Sequence, residues 1–327
     1  MFLFDLLGAS INAAGANLLA PTSPTGLASY IGGLATVGLI AYARLGRAPR
    51  WRAFWKSTFP QRIVRHVSTR ADIQMYFLNA LMLSSTYGLA IVGAGFWADG
   101  AKRALVASLG AHEAWAAPLW LTLGATTIVE LVMLELGYYA GHYLMHKIPM
   151  LWEFHKVHHS AEVMTPMTEW RQHPVEMVLI PNTISLCNGA AYGALGYVFG
   201  PSQPLSLWHM NIVLAIFFLT IGHLRHSHVW LPFTGWLGHL LQSPAHHQIH
   251  HSTDPDHFDK NLGFCLAVWD WLFGTLWVPS DADKARVAFG IGAESQDFHD
   301  IAGSFVGPFV KIVRPGANGA LEAPAPR

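Results

Sequence analysis

Long apolar stretches dominate the pattern of hydrophobic and polar positions along this chain. A helix that crosses a bilayer needs about 20 mostly apolar residues. Five stretches approach that length: residues 26–45, 74–97, 118–140, 175–200 and 205–224. The third is expected to continue past the bilayer toward His142 and His146. The pattern therefore predicts an all-α fold, a multi-span transmembrane bundle of about four or five helices.

The two ends of the chain differ from these stretches. Residues 1–20 are apolar but short, which predicts an interfacial or partly buried segment. They carry Asp5 and no basic run, so we expect no cleaved secretory signal. The tail, residues 314–327, is rich in Pro and small residues and is predicted to be disordered.

The composition supports a membrane protein. Hydrophobic residues make up 52% and charged residues 12% of the chain, against about 25% charged in soluble proteins. The formal net charge is zero, which gives no reason to expect a nucleic-acid partner. The only cysteines, Cys187 and Cys265, lie far apart. They form neither a disulfide framework nor a thiolate metal site.

Basic residues predict the orientation of the spans. The loop after the first span is rich in basic residues, and Asp72 is its one acidic residue. Short loops rich in Lys and Arg stay in the cytoplasm. Threading the remaining spans from this loop places every histidine cluster described below on the cytoplasmic face. The basic residues of the loop are Arg44, Arg47, Arg50, Arg52, Lys56, Arg62, Arg65 and Arg70.

Eight histidines occur in three clusters at the ends of apolar stretches. Residues three or four apart share a helix face, so each cluster presents imidazoles in one direction, as metal ligation requires. A solvated set of this size would accumulate mutually repelling charge near neutral pH. We therefore expect a dinuclear metal site on the cytoplasmic face. The clusters are His142-x3-His146, His155-x2-His158-His159 and His247-x2-His250-His251.

Other residues near the clusters are weaker candidates. We predict His226 as a ninth ligand, with His223 and His228 as alternatives for completing the metal shell. His246 is expected in a supporting role at most. Glu135 lies seven residues before His142 inside a span, where carboxylates are costly and usually functional. It is expected to orient a ligand histidine or hold a cofactor, or else to reach toward water.

The choice of metal follows from the donor set. Structural zinc sites are closed and usually include thiolates, which this chain does not offer. Nitrogen ligands with open positions at a membrane face favour iron and oxygen chemistry. A divalent-metal transporter or sensor would place its ligands at mid-membrane depth, whereas these clusters lie at the ends of the predicted spans.

The residues resemble the fatty acid hydroxylase/sterol desaturase superfamily, with its HX3H, HX2HH and HX2HH pattern. The similarity extends over residues 135–176 and 226–279, including Arg171, His173, Pro174 and the segment DKNLG at 259–263. The Glu135 region and the DKN, WD and LFGT motifs are most similar to the alkylglycerol monooxygenase branch and bacterial sterol-desaturase relatives.

The resemblance implies a membrane-bound, oxygen-dependent oxidoreductase that hydroxylates or desaturates a fatty acyl, sterol or ether lipid. It implies a transmembrane helical bundle with a cytosolic helical cap that holds two iron ions. It also implies dioxygen as co-substrate, and electrons from a reductase, a redox carrier or a reduced pterin. A non-catalytic family member is a further alternative. The implied ligands are His142, His146, His155, His158, His159, His226, His247, His250 and His251, with Glu135 as a catalytic candidate.

Three regions are predicted. Residues 1–115 form an N-terminal membrane region with the basic cytosolic loop, residues 116–313 the hydroxylase-like domain, and residues 314–327 the tail. The sequence leaves open which lipid reacts, whether the outcome is hydroxylation, desaturation or ether cleavage, and how many copies of the chain associate.

Overall fold

The computed structural model describes residues 27–82 and 88–313, and within them the fold is helical apart from one small hairpin. The predicted segments at residues 1–20 and 314–327 lie outside the described residues. The helices are α1 Leu27–Leu45, α2 Trp51–Thr58, α3 Gln61–Val64, α4 Val67–Met82, α5 Gly88–Ala90, α6 Ala94–Leu109, α7 Leu119–Lys147, α8 Pro149–His159, α9 Pro174–Val198, α10 Ile212–Thr220, α11 Gly235–Leu240, α12 Pro244–His250, α13 Val268–Phe273 and α14 Ile301–Val313.

Short 3-10 turns connect these helices at Pro166–Trp170, Gly222–Leu224, Pro255–His257, Asp283–Ala285 and Gly292–Phe298. The hairpin pairs Ser206–Leu207 with Met210–Asn211 in antiparallel register. The predicted all-α class is therefore confirmed for the described part of the chain.

Two of the described helices, α1 and α7, are long and apolar enough to cross a membrane. They correspond to the spans expected at residues 26–45 and 118–140. As expected, α7 continues beyond the apolar stretch and carries His142 and His146 in its last two turns. Pro149 then begins α8, since proline is tolerated at the first position of a helix but not in its interior.

The prediction of one helix over residues 74–97 is wrong. Among the described residues, the helical segment α5 ends at Ala90 and α6 begins only at Ala94, after Gly93 in an extended conformation. Glycines reduce helix propensity here, and a side chain of α9 satisfies the freed backbone groups. Asn182 accepts a hydrogen bond from the N–H of Val92 and donates one to the carbonyl of Ala90.

The helix expected over residues 205–224 is also interrupted. Trp208 and His209 adopt positive φ angles of 49° and 67° in the hairpin turn. Asn211 caps α10 by accepting a hydrogen bond from the N–H of Val213. The resulting helix has 9 residues, fewer than the roughly 20 that a crossing requires. The predicted α9, by contrast, spans residues 174–198 without a break.

Glycines four residues apart allow α7 and α9 to pack closely. A Cβ atom built on Gly137 would lie 2.5 Å from Cα of Ile184, and one on Gly141 would lie 2.5 Å from Oγ1 of Thr183. Small residues at this spacing let helices in a membrane approach each other and gain dispersion contacts. The contact fixes the direction in which α7 delivers its two histidines.

Arg171 joins four segments of the region that carries the histidines. Its side chain is fully buried and pairs with Asp72 of α4 at 3.2 Å. It also donates to the carbonyl of Val157 in α8 at 3.0 Å and to that of Phe298 at 2.8 Å. Because a buried cation requires such partners, these segments must assemble together around the guanidinium group.

We expect Gly137→Ala to destabilise the protein, because the added methyl group would overlap the backbone of α9. Overpacking of this kind costs about 1–3 kcal/mol. Gly124→Ala is the matched control in the same helix, since no atom lies within 4 Å of its added Cβ. Thermal unfolding in detergent should show a lower midpoint only for Gly137→Ala. Equal midpoints would contradict the packing described above.

Candidate metal centre

Nine buried imidazoles meet where α7, α8, α12 and the segment after Gly222–Leu224 come together. They form two groups, and within each group the candidate ligand atoms all lie within 4.8 Å of one another. We call them group A, which contains His142, His146, His155, His159 and His250, and group B, which contains His158, His226, His247 and His251. None of the nine side chains is more than 6% exposed.

Each HX2HH motif contributes to both groups. In α8, His155 and His159 are one turn apart and belong to group A, whereas His158 belongs to group B. In the second motif the division is reversed, because His247 and His251 enter group B and His250 enters group A. The spacing thus allows one helical segment to serve two adjacent positions. This division was not predicted from the sequence.

The segment 259–263, DKNLG in the sequence, fixes three imidazoles of group A from outside. Nδ1 of His142 donates to the carbonyl of Leu262 at 2.7 Å, and Nδ1 of His250 donates to that of Lys260 at 2.9 Å. A carboxylate oxygen of Asp259 lies 3.3 Å from Nδ1 of His146. An Nδ1–H that donates outward leaves the Nε2 lone pair free to face a metal.

Glutamates hold one imidazole in each group. Oε2 of Glu176 lies 3.0 Å from Nδ1 of His155 in group A, and Oε2 of Glu169 lies 2.9 Å from Nδ1 of His226 in group B. Carboxylates behind ligating histidines raise ligand basicity and fix ring orientation. Sequence reasoning missed both glutamates, although they lie in the stretch 135–176 that carries the resemblance.

The distances between the inward nitrogens fit metal binding. Nε2 of His142 lies 3.0 Å from that of His155, while Nε2 of His226 lies 3.2, 2.8 and 3.2 Å from those of His158, His247 and His251. Two nitrogen ligands about 2.1 Å from one ion and at right angles lie about 3.0 Å apart. One lone pair cannot accept good hydrogen bonds from three rings, whereas a cation can be shared by all four.

Burial also favours the neutral imidazole, which is the form that ligates metals. Desolvation, reinforced by neighbouring charges, lowers the pKa of six of these histidines well below the usual 6.5. They are His155, His158, His159, His247, His250 and His251. At neutral pH these rings are therefore uncharged, and both groups could hold a metal ion.

Glu135 supports the centre indirectly, which differs from the roles expected for it. Its buried carboxylate accepts hydrogen bonds from the backbone N–H groups of Phe264, Cys265 and Leu266, the shortest at 2.9 Å. It does not belong to either histidine group. Glu135 anchors the chain immediately after the DKNLG segment, and Asp270 secures Leu262 and Gly263 by the same kind of bond.

The remaining candidate histidines lie outside both groups. His223 lies 2.9 Å from Oγ of Ser29 and stacks on Tyr30, and Nε2 of His228 bonds the carbonyl of Ser57. His246 bonds the carbonyl of Gly238. Of the three residues considered for the ninth position, His226 is the one that the structure brings into a group.

Arg225 is a functional candidate that sequence reasoning missed. It is fully buried, and its Nη2 lies 3.2 Å from Nδ1 of His247. Its Nη1 donates to the carbonyl of Phe264, and the guanidinium carbon lies 4.2 Å from the centre of the Phe264 ring. Group B is thus bordered by one carboxylate and a cation, whereas group A is bordered by two carboxylates. An arginine next to His226 in an apolar stretch was the available signal.

Changing Glu135 to Gln should loosen the segment that supports group A. The amide nitrogen cannot accept the N–H bonds that the carboxylate accepts, and such charge-assisted bonds contribute about 1.5–3 kcal/mol each. We expect amide hydrogen exchange at Phe264–Leu266 to accelerate about tenfold or more. Glu130→Gln is the control, because Glu130 lies in the same helix and bonds Asn211 instead. Unchanged exchange in Glu135→Gln would contradict the anchoring role.

Comparisons with known proteins agree with this geometry. Alkylglycerol monooxygenase from Danio rerio is 28% identical over 157 residues, which are 48% of this chain and 31% of that protein. The human enzyme of the same name is 26% identical over 171 residues, 52% of this chain and 34% of that protein. Ornithine lipid hydroxylase OlsE from Rhizobium tropici is 31% identical over 153 residues, 46% of this chain and 42% of that protein.

This chain thus covers between 31% and 42% of the length of these relatives. No solved structure matches it. The profile of the fatty acid hydroxylase family matches residues 127–275, which include every member of the two histidine groups. Residues 127–275 therefore match the fatty acid hydroxylase family, the family that the histidine motifs resemble.

Proposed function

We propose that this protein is a membrane-bound, oxygen-dependent iron oxidoreductase that hydroxylates an aliphatic position of a lipid. The observation that carries the proposal is the convergence of nine buried imidazoles in two adjacent groups. The names of the relatives, alkylglycerol monooxygenase and ornithine lipid hydroxylase, support lipid oxygenation over transport. Desaturation and ether cleavage are the alternative outcomes for the same centre.

The two groups would hold two iron ions, five imidazoles on one and four on the other. All-nitrogen ligation without thiolate suits iron, and four ligands leave positions open for a further ligand. When bound, the iron pair supplies the oxygen-activating chemistry. The chain's own residues orient the ligands through their Nδ1 atoms, exclude bulk water from the rings and place a cation, Arg225, beside group B.

The electron source is proposed to be external, either a reductase with its redox carrier or a reduced pterin. The loop between α1 and α4 would face the cytosol, in keeping with its basic residues. An acidic carrier would be attracted to the same loop. In this proposal the chain crosses the membrane several times, α9 adds to the crossings made by α1 and α7, and the metal centre faces the cytoplasm.

The domain assignment is part of the proposal. Residues 1–115 would form the N-terminal membrane region, and residues 116–313 the catalytic domain with its cytosolic cap. The family match at 127–275 falls within the second region. The second region extends beyond the family match to α14. Phe298, shortly before α14, accepts a hydrogen bond from Arg171 and so links this end to the rest of the region.

Removing one imidazole from either group should reduce the metal content. The parent protein is expected to bind about two iron ions per chain. We expect His250→Ala, in group A, and His247→Ala, in group B, each to bind fewer. His239→Ala is the control, because among the described residues His239 bonds the carbonyl of Gly235 and lies outside both groups. Metal analysis after iron reconstitution measures the outcome. Full iron content in His250→Ala and His247→Ala would refute the ligand assignment.

Catalysis is tested with labelled dioxygen. Iron-loaded protein in lipid nanodiscs, supplied with a reductant and either alkylglycerols or acyl lipids, should transfer one labelled oxygen atom to the lipid, as mass spectrometry would detect. His158→Ala should abolish the transfer. Formation of an alkene without labelled oxygen would replace hydroxylation by desaturation, and the absence of any lipid product with every donor would overturn the proposal.

A further inference from the structure

An elongated cavity lies beside group B and is built largely from the N-terminal part of the chain. Its volume is about 550 Å³, within the range of about 300–1,000 Å³ typical of ligand sites. One wall follows α1 from Leu27 through Gly33 to Val37, a helical rise of about 15 Å. The opposite wall includes Phe59, Ile63 and Ile73, and these residues precede the family match at 127–275.

Several polar groups on the cavity wall are already bonded within the protein. The hydroxyl of Thr69 donates to the carbonyl of Ile63, that of Thr165 to Asp72, and that of Ser227 to the carbonyl of Leu224. The hydroxyls of Tyr30 and Thr58 have no hydrogen-bond partner among the described residues. What remains for an occupant is a mainly apolar surface with two unpaired hydroxyls. An occupant that needed many hydrogen bonds would leave its own polar groups unpaired.

One end of the cavity approaches the metal centre near Glu169 and His226. Two residues that line the cavity, Met167 and Leu224, each lie two positions before one of them in the chain. The Glu169 carboxylate in turn holds Nδ1 of His226 in group B. Glu169 is 15% exposed, more than any imidazole of the centre. A ligand in the cavity would therefore lie next to group B rather than group A.

The outer face of α1 points away from the protein. Ile31 and Leu39 are 56% and 68% exposed, which suits contact with lipid acyl chains because α1 is a candidate membrane span. The cavity thus lies on the inner side of a candidate membrane helix. A membrane lipid would have only a short distance to move to reach it.

We propose that this cavity binds one long alkyl or acyl chain of a membrane lipid and aligns it with group B. Its elongated, apolar form along α1 suits a flexible chain better than a rigid, broad sterol. That this chain belongs to the substrate rests on the proposed function. Residues 27–77, outside the family match, then determine which chains fit, and Gly33 is the position where a side chain would limit them.

Gly33 offers a direct test, because the only described atom within 4 Å of an added Cβ is Cβ of His223, at 3.8 Å. A leucine side chain at this position would extend into the cavity. Ala35→Leu is the matched control, since Ala35 lies on the exposed side of the same helix and outside the cavity lining. Equal circular dichroism spectra and equal iron content in both variants would show that the fold is retained.

The probe is palmitic acid carrying a diazirine near its methyl end, photolysed with the iron-loaded protein in nanodiscs without reductant or oxygen, so that no turnover occurs. We expect labelled peptides to include residues 27–37 and 164–167, with labelling reduced at least tenfold in Gly33→Leu and unchanged in Ala35→Leu. Unlabelled palmitic acid should compete and cholesterol should not.

Three outcomes would overturn the inference: labelling confined to the exposed face of α1, equal labelling of the two variants, or competition by cholesterol as strong as that by palmitic acid. The proposed function fails separately. Cavity labelling without any oxygen-dependent lipid product would remove the enzymatic proposal and leave the binding site. Lipid oxidation without cavity labelling would remove the site and leave the enzyme.

Discussion

The outward hydrogen bonds of the imidazole Nδ1 atoms are the constraint on which the centre depends. Bringing the Nε2 atoms of His142 and His155 to 3.0 Å sets two electron-rich positions against each other. A cation between them removes that repulsion, and the protein keeps the rings in place by bonding their other edges to carbonyls and carboxylates. The residues that surround the centre therefore set the positions of these rings.

This arrangement explains why several buried polar residues lie near the histidines without touching them. Glu135 and Asp270 accept N–H bonds from the chain at residues 262–266, and that chain presents the carbonyls of Lys260 and Leu262 to group A. Arg171 fixes the end of α8 in the same indirect way. Each of these residues is buried and charged, so each requires partners, and the partners it finds are the backbone groups that position the ligands.

The metal centre and the cavity are built largely from different parts of the chain. The segment that matches the fatty acid hydroxylase family supplies all nine imidazoles, while α1 and residues 59–77 supply most of the apolar wall of the cavity. The two come close where Met167 and Leu224 of the cavity wall precede Glu169 and His226. Two carboxylates border group A, whereas Glu169 and Arg225 border group B, and this difference makes the two metal positions chemically different.

The features that could be predicted from the sequence alone are those that depend on residue type and short spacing. Apolar length predicted α1 and α7, and the HX3H and HX2HH spacings predicted which rings share a helix face. Tertiary structure decided the rest. The break before α6 depends on Asn182 of the distant helix α9. The division of each motif between groups A and B depends on where the fold places α8 and α12. The acceptors for His142 and His250 are backbone carbonyls, 120 and 10 residues away. Every residue has such a carbonyl, so no side-chain pattern could reveal which ones the folded chain would bring to the rings.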